Sequence, residues 1–230
     1  MLDVEINLNL YNMERILIIN RYLSYVLIKL PLLNEYFNYL SVLILERNTN
    51  LIIPHKYKEK IVKQYAKLFP VNIFIETGTY RGQMIEAVKT NFNTIYSIEL
   101  DKTIANTAKY IFFKSKNITI INGDSSRVLP KLLKNIKLPC LFWLDAHYSY
   151  KTPIIEELKC VLNHSIKNCF QKHPLGHVIL IDDSRFFTSK YSKNGYPTIE
   201  ELKKLVFNIN PNLIIKDNND VIQIYPKLRV

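Results

Sequence analysis

From residue 71 onward, short apolar runs alternate with longer segments whose apolar positions recur at helical spacing. Runs of this length predict strands, and the segments between them predict helices. The predicted strands are Val71–Ile75, Thr94–Glu99, Ile118–Asn122, Cys140–Leu144, His177–Ile181, Leu213–Ile215 and Val221–Tyr225. Predicted helices begin near Gln83, Lys102, Ser126, Pro153 and Thr198.

Helices separate the first five predicted strands, as a parallel doubly wound sheet requires. The last two strands are joined by the short polar run 217–220, so they must be antiparallel. The predicted fold class is therefore α/β, with a doubly wound sheet that is mostly parallel and a C-terminal antiparallel hairpin.

The first 68 residues show a helical pattern and predict an N-terminal helical extension (1–68) ahead of the sheet domain (69–230). Residues 16–33 are strongly apolar, but Arg21, Lys29 and Pro31 interrupt them. A spanning helix needs about 20 mostly apolar residues with few charges. Residues 13–46 therefore predict amphipathic helices that pack on the domain, on a partner chain or on a membrane surface, with packing on protein preferred.

The run Phe74–Gly82 places two glycines between a strand and a helix. Gly78 and Gly82 would let the backbone approach a ligand, and the helix N-terminus offers free N–H groups. The next predicted strand ends at Glu99, where a carboxylate can accept hydrogen bonds from ribose hydroxyls. Together these features predict a Rossmann-like sheet that binds an adenosine-type cofactor.

Each of the first five predicted strands ends in or is followed by an acidic residue. In an open α/β sheet, ligands lie outside the carboxyl ends of the strands. Glu76 and Thr77, beside Gly78 and Gly82, would hold the amino-acid end of the cofactor. Asp124 and Ser125 would face the adenine. Aspartate also caps helices, and capping accounts for one or two such acids without a ligand.

Asp145, Asp182 and Asp183 follow two predicted strands that we expect to be neighbours. Three carboxylates that converge repel one another, and a divalent cation such as Mg²⁺, Mn²⁺ or Ca²⁺ relieves the repulsion. We therefore predict a metal site on these residues. The alternative is that one aspartate caps a helix and another pairs with Arg185 or a lysine.

His147 lies two residues beyond Asp145, on the loop above the sheet. A neutral imidazole there could take a proton from a substrate hydroxyl, which makes His147 the predicted base. It could also be a metal ligand or a loop residue with a structural hydrogen bond.

Charge and cysteine content narrow the choice of partner and compartment. The net charge is +11 and the sequence pI is about 9.4, which favours anionic partners, although scattered lysines are also an ordinary surface. Three cysteines do not form a disulfide framework, so we expect a reducing cytoplasm, with peripheral membrane contact as a further option. Cys160, His164, Cys169 and His173 lack the close pairs of structural zinc modules and are interpreted as helix and loop residues.

Four motifs carry a resemblance to a known family: residues 76–82, 96–101, 142–149 and 180–185. Across about residues 70–226, the chain resembles class I methyltransferases that use S-adenosyl-L-methionine (SAM). The acids after the fourth and fifth strands are similar to those of metal-dependent O-methyltransferases, which include the macrocin type, acting on sugar hydroxyls, and the catechol type. The resemblance implies that Asp145, Asp182 and Asp183 hold Mg²⁺ and that His147 is the base. Thr79 stands where many members have glycine, and residues 1–68 match nothing in the family.

The expected reaction is metal-assisted O-methylation, with Asp145 and His147 as the catalytic residues. Asp145 is also predicted to contact the cofactor. The expected acceptor is a sugar, glycan or other hydroxylated small molecule, which could itself be anionic. A nucleic-acid methyltransferase is the first alternative, suggested by the charge but lacking an Asn-Pro-Pro-Tyr-type motif. The second is a non-catalytic SAM-binding partner protein. The oligomeric state and the role of residues 1–68 are left open.

Overall fold

The computed structural model describes residues 55–146, 151–165 and 176–227. Seven strands form one sheet in the order β3-β2-β1-β4-β5-β7-β6. The strands are β1 (Ile73–Thr77), β2 (Thr94–Glu99), β3 (Ile118–Asn122), β4 (Cys140–Leu144), β5 (Val178–Ile181), β6 (Leu213–Asn218) and β7 (Val221–Pro226). The first five strands are parallel to one another, and β7 is antiparallel to both β5 and β6. The predicted fold class is confirmed.

The described residues also form six α-helices and two 3₁₀ helices; α1 precedes the first strand and the others lie between strands. The α-helices are α1 (His55–Leu68), α2 (Gln83–Val88), α3 (Lys102–Ile111), α4 (Ser125–Leu133), α5 (Ile154–His164) and α6 (Ile199–Ile209); the 3₁₀ helices are Ser184–Phe186 and Ser189–Asn194. The apolar side chains of α1, α2 and α3 belong to one buried cluster, and those of α4, α5 and α6 belong to a second. Helices therefore cover both faces of the sheet, as a doubly wound fold requires.

Strand β4 shows how the sheet divides the core. All five of its residues are buried. Cys140, Phe142 and Leu144 join the cluster under α4–α6, whereas Leu141 and Trp143 join the cluster under α1–α3. Successive side chains of a strand point to opposite faces, so a strand with helices on both sides must be apolar at every position.

The first strand is displaced from its predicted position. The sequence predicts Val71–Ile75, but β1 spans Ile73–Thr77, so Glu76 and Thr77 lie within the strand. Glu76 is paired with Ser97 of β2 and Trp143 of β4, which extends the strand through an acidic residue. The predicted cofactor loop therefore begins at Gly78.

The compact unit that contains the sheet runs from His55 to the end of the chain. It begins earlier than the predicted boundary at residue 69, because α1 packs through Ile61, Val62 and Tyr65 against the same cluster as β1. The helices predicted within 13–46 lie outside the described residues. Within the part that the structure describes, no helix combines the length and apolarity needed to cross a membrane.

A buried pair of histidines joins the end of α5 to the start of β5. The backbone N–H of Cys140 donates to Nδ1 of His177, at 3.0 Å. His177 must then carry its proton on Nε2, which lies 2.9 Å from Nδ1 of His164. Nε2 of His164 in turn donates to the carbonyl of Ile136 at 3.0 Å. Both ring nitrogens of His164 are therefore engaged, which disfavours it as a zinc ligand; Cys169 and His173 lie outside the described residues.

Candidate active site

Backbone hydrogen bonds continue past the ends of the central strands and bring their loops to one edge of the sheet. The N–H of Gly78 donates to the carbonyl of Ile98 at 2.9 Å. The N–H of Asp145 donates to the carbonyl of Thr77, and that of Asp182 to Leu144, both at 3.0 Å. The residues after β1, β4 and β5 are thus held beside one another, as the sequence predicts.

Gly78 occupies a position that only glycine fits. Its φ is +87°, a left-handed conformation that side chains disfavour. A Cβ atom there would lie 2.4 Å from the carbonyl oxygen of Asp145, closer than any van der Waals contact allows. The loop after β1 therefore packs directly on the backbone after β4.

Glu99 is anchored by the backbone on both sides of the predicted cofactor cleft. Its Oε2 accepts from the N–H of Tyr80 and its Oε1 from the N–H of Asp101, each at 2.9 Å. Each carboxylate oxygen can accept a second hydrogen bond, so Glu99 retains capacity for two further donors. The buried carboxylate has a fixed orientation before any ligand arrives.

Glu76 forms a buried network with two hydroxyl groups. The Ser97 hydroxyl donates to its Oε2, and the Thr79 hydroxyl lies 2.6 Å from that of Ser97. Burial raises the pKa of Glu76 to about 8, although the hydrogen bond from Ser97 works against the shift and the charge of Glu99 adds to it. At neutral pH Glu76 is therefore mainly a neutral carboxylic acid.

Asp124 serves as the N-cap of α4. Its Oδ1 accepts from the Ser126 N–H at 2.9 Å and from the Ser126 hydroxyl at 2.6 Å. Helix capping, the alternative to ligand binding considered from the sequence, therefore accounts for Oδ1 of Asp124. Ser125 is buried at the first turn of the helix. The adenine contact predicted for both residues stays a prediction.

Glu157 of α5 is a buried acid that the sequence does not single out. Its carboxylate oxygens lie near the Ser125 and Thr77 hydroxyls, but neither oxygen makes a hydrogen bond of ordinary geometry, and nor does the Thr77 hydroxyl. Burial raises the pKa of Glu157 to about 7, while the approach of the Ser125 and Thr77 hydroxyls partly offsets this. Its position in the first turn of a helix resembles an ordinary acidic helix start, so no sequence signal marks it.

The three predicted metal ligands do converge. Asp145, Asp182 and Asp183 each present a carboxylate oxygen, and these oxygens lie within 4.8 Å of one another. Burial and the charges of Asp182 and Asp183 raise the pKa of Asp145 well above its usual range. Burial and the charge of Asp183 also raise the pKa of Asp182, to about 7, although Lys58 opposes the shift. The cluster is therefore short of positive charge.

Lys58 of α1 supplies part of the missing positive charge. Its Nζ lies 2.6 Å from Oδ1 of Asp182 and 3.0 Å from Oδ1 of Asp183. Arg185 also pairs with Asp183, at 2.9 Å, and with Asp220. The alternative had one aspartate capping a helix and another paired with Arg185 or a lysine. Its ion pairs are present together with the converging carboxylates, whereas the Asp183 side chain makes no cap hydrogen bond to the 3₁₀ helix that follows it.

Lys58 could have been found from its spacing. The buried positions of α1 are Lys58, Ile61, Val62 and Tyr65, so the lysine begins an apolar stripe at i, i+3, i+4 and i+7. A lysine at such a position is buried and needs a partner. His147, the predicted base, lies outside the described residues.

Neither a scan against protein-family models nor a search of curated proteins finds a match for this sequence. Solved structures do match. The O-methyltransferase TomG of Streptomyces achromogenes, in complex with SAM, has 15% identity and a TM-score of 0.55 over 74% of this chain and 78% of its own. An O-methyltransferase from Bacillus cereus in complex with SAH has 16% identity and a TM-score of 0.53 over 91% and 97%. The 23S rRNA methyltransferase ErmE has 13% identity and a TM-score of 0.50 over 76% and 70%. At these identities the likeness establishes the fold, a Rossmann-like methyltransferase fold.

Proposed function

We propose that this chain is a SAM-dependent methyltransferase that transfers the methyl group to a hydroxyl of a sugar or another small molecule. The observation that carries the proposal is the geometry around Glu99. Its carboxylate is fixed by the backbone of Tyr80 and Asp101, beside a loop in which Gly78 has no room for a side chain. This arrangement, on the sheet of the methyltransferase fold, suits a ligand with a ribose and a close backbone contact.

In this proposal, the Glu99 carboxylate accepts hydrogen bonds from the ribose hydroxyls, and Asp124 and Ser125 contact the adenine. Thr77, Gly78 and Gly82 shape the loop around the amino-acid end of the cofactor. Glu76 lies below that loop. Burial raises the pKa of Glu76. A cationic group bound nearby would lower that pKa again, because it stabilises the charged carboxylate.

The carboxylates after β4 and β5 fit a divalent cation. Oxygens within 4.8 Å of one another can share an ion whose ligand distances are about 2.0–2.6 Å. Asp145, Asp182 and Asp183 would hold Mg²⁺, and a bound Mg²⁺ would lower the pKa of an acceptor hydroxyl and fix its position. His147 would accept the hydroxyl proton. We place the reaction in the cytoplasm, on the argument from free cysteines given above.

Methylation of a nucleic acid is the second candidate. The net charge of +11 and the fold shared with ErmE, described as a 23S rRNA methyltransferase, support it. The converging aspartates favour a hydroxyl as the acceptor, because a divalent ion that they held would bind the hydroxyl and lower its pKa.

Isothermal titration with SAM and with NAD tests the cofactor proposal. The wild type should bind SAM, and Glu99→Ala should bind about 10- to 100-fold more weakly, since hydrogen bonds to a charged group are worth about 1.5–3 kcal/mol. Glu200→Ala, which removes an exposed glutamate of α6, is the control and should bind as the wild type does. Binding of NAD in preference to SAM would overturn the proposal.

Radiolabelled SAM identifies the acceptor class. The labelled methyl group should be transferred to sugars or other hydroxylated small molecules. EDTA should abolish this transfer while SAM binding persists. Transfer to RNA alone would favour the second candidate. Full transfer in EDTA would remove the metal from the proposal but leave the cofactor assignment intact.

A further inference from the structure

Lys58 is the only lysine of α1 that lies on its buried face. Its four-carbon side chain leaves the first turn of the helix and ends between Asp182 and Asp183. Lysine is almost never fully buried without a partner, so the position of Lys58 depends on these carboxylates. The other described lysines of α1 include Lys63, which pairs with Glu59 on the exposed side of the same helix.

The contacts of Lys58 fall on two of the three carboxylates that would bind the metal. Its ammonium approaches Asp182 at 2.6 Å and Asp183 at 3.0 Å, whereas Asp145 forms no ion pair with any described residue. An ammonium at these distances takes the place that a metal ion would need in order to reach the same oxygen atoms. An ammonium and a metal ion on the same Oδ1 atoms would repel each other, so the two cations compete for Asp182 and Asp183.

The charges of the cluster allow either Lys58 or a divalent metal ion to bind there. Arg185 pairs with Asp183 but also with Asp220, so its charge only partly offsets the three carboxylates of Asp145, Asp182 and Asp183, and Lys58 adds one further positive charge. A single ammonium leaves this cluster negative, and a divalent ion would neutralise it more fully. The lysine has the advantage of being tethered, whereas the metal has the advantage of charge.

We propose that Lys58 is an internal cation that competes with a divalent metal for Asp182 and Asp183, so that the metal binds only when the Lys58 ammonium withdraws. The inference rests on the metal site of the proposed function. Without metal, Lys58 holds the carboxylates together. With metal, the Lys58 ammonium leaves these oxygens and becomes accessible to solvent. The competition makes the metal affinity of the wild type lower than its carboxylates alone would give.

Metal titration of matched variants tests the competition. Lys58→Gln removes the charge and keeps most of the length, and Lys63→Gln is the control on the exposed side of α1. Mn²⁺ binding, followed by electron paramagnetic resonance without SAM, should be about 10- to 100-fold tighter in Lys58→Gln, because the charge-assisted bonds that the metal displaces are worth about 1.5–3 kcal/mol. Lys63→Gln should match the wild type. Equal affinities in all three proteins, or no binding in any of them, would overturn the proposal.

Acetylation of the wild type gives a test that needs no variant. Lys58 should be protected from acetic anhydride without metal and should become several-fold more reactive when Mg²⁺ or Mn²⁺ is added, with Lys63 as the internal reference. If Lys58→Gln does not fold, this experiment decides alone, and unchanged protection at saturating metal overturns the proposal. SAM titration of the same samples reports separately on the cofactor, so failure of the competition is distinguishable from failure of the proposed function.

Discussion

One buried side chain, His177, should contribute less to the stability of this fold as the pH falls. The Cys140 N–H donates to its Nδ1, and its Nε2 is directed at Nδ1 of His164. A second proton on His177 would have to replace the bond from Cys140 with a repulsive N–H···H–N contact. Burial, together with the neighbouring His164, lowers the pKa of His177 from 6.5 to about 3. The folded protein therefore keeps this ring neutral where the unfolded chain protonates it.

The sign and size of the effect follow from linkage. A group whose pKa is lowered by folding contributes stability above its unfolded pKa, and that stability is lost as pH falls towards the folded pKa. Each pH unit below about 6.5 then removes about 1.4 kcal/mol, so His177 should cost about 2 kcal/mol between pH 7 and pH 5. Carboxyl groups with raised pKa values, such as Glu76, act in the opposite direction. The wild-type profile alone therefore cannot isolate the histidine.

The comparison with His177→Gln isolates it. A glutamine amide can accept from Cys140 and donate to His164 but does not titrate. Urea unfolding at pH 5, 6 and 7, followed by circular dichroism, should show that the wild type loses about 2 kcal/mol more than the variant over this range. If the free energy of unfolding changes equally with pH in the two proteins, folding does not lower the pKa of His177, and the reasoning is refuted.

Two further substitutions test the backbone and a helix cap. Gly78→Ala should abolish SAM binding and cost well over 2 kcal/mol in urea unfolding, because the left-handed conformation alone costs about 1–2 kcal/mol and the new Cβ meets the Asp145 backbone. Gly195→Ala has a similar φ but meets mainly the flexible Lys151 side chain, so it should cost only the conformational part; equal losses would contradict the close approach. Thr198→Ala removes the N-cap of α6 and should cost about 1 kcal/mol, whereas Thr198→Ser should retain most of the stability; an alanine variant as stable as the serine one would show that the cap contributes little.

Sequence patterns predict strand bounds well where apolar residues are enclosed by polar ones. The bounds of β2, β3 and β4 agree with the prediction, since most of their residues are β-branched, aromatic or aliphatic. Strand β1 shows the limit of this reasoning. Its last two residues are polar, and they extend the strand because hydrogen bonds to β2 and β4 are available on both sides.

The candidate site was also predictable only in part, because some of its contacts follow from the strand order and others depend on how a helix packs on the sheet. The convergence of Asp145, Asp182 and Asp183 follows from topology, because the carboxyl ends of adjacent parallel strands share one edge of the sheet. The approach of Lys58 does not follow from topology. It depends on how α1 packs on the sheet, and the sequence records only that a lysine begins the apolar stripe.

The loop after β1, the proposed cofactor loop, lies directly beside Asp145, one of the proposed metal ligands. The Asp145 N–H donates to Thr77 of β1, and the Asp145 carbonyl packs against Gly78. Adjacent strands lie about 4.8 Å apart, so the loop that would hold the methyl donor and the carboxylate that would hold the acceptor are separated by one strand spacing. Methyl transfer requires reacting atoms about 3–3.5 Å apart and in line. The sheet rather than a mobile loop would set that distance. Gly78→Ala should therefore disturb both the proposed cofactor loop and Asp145, because the new Cβ atom meets the Asp145 backbone.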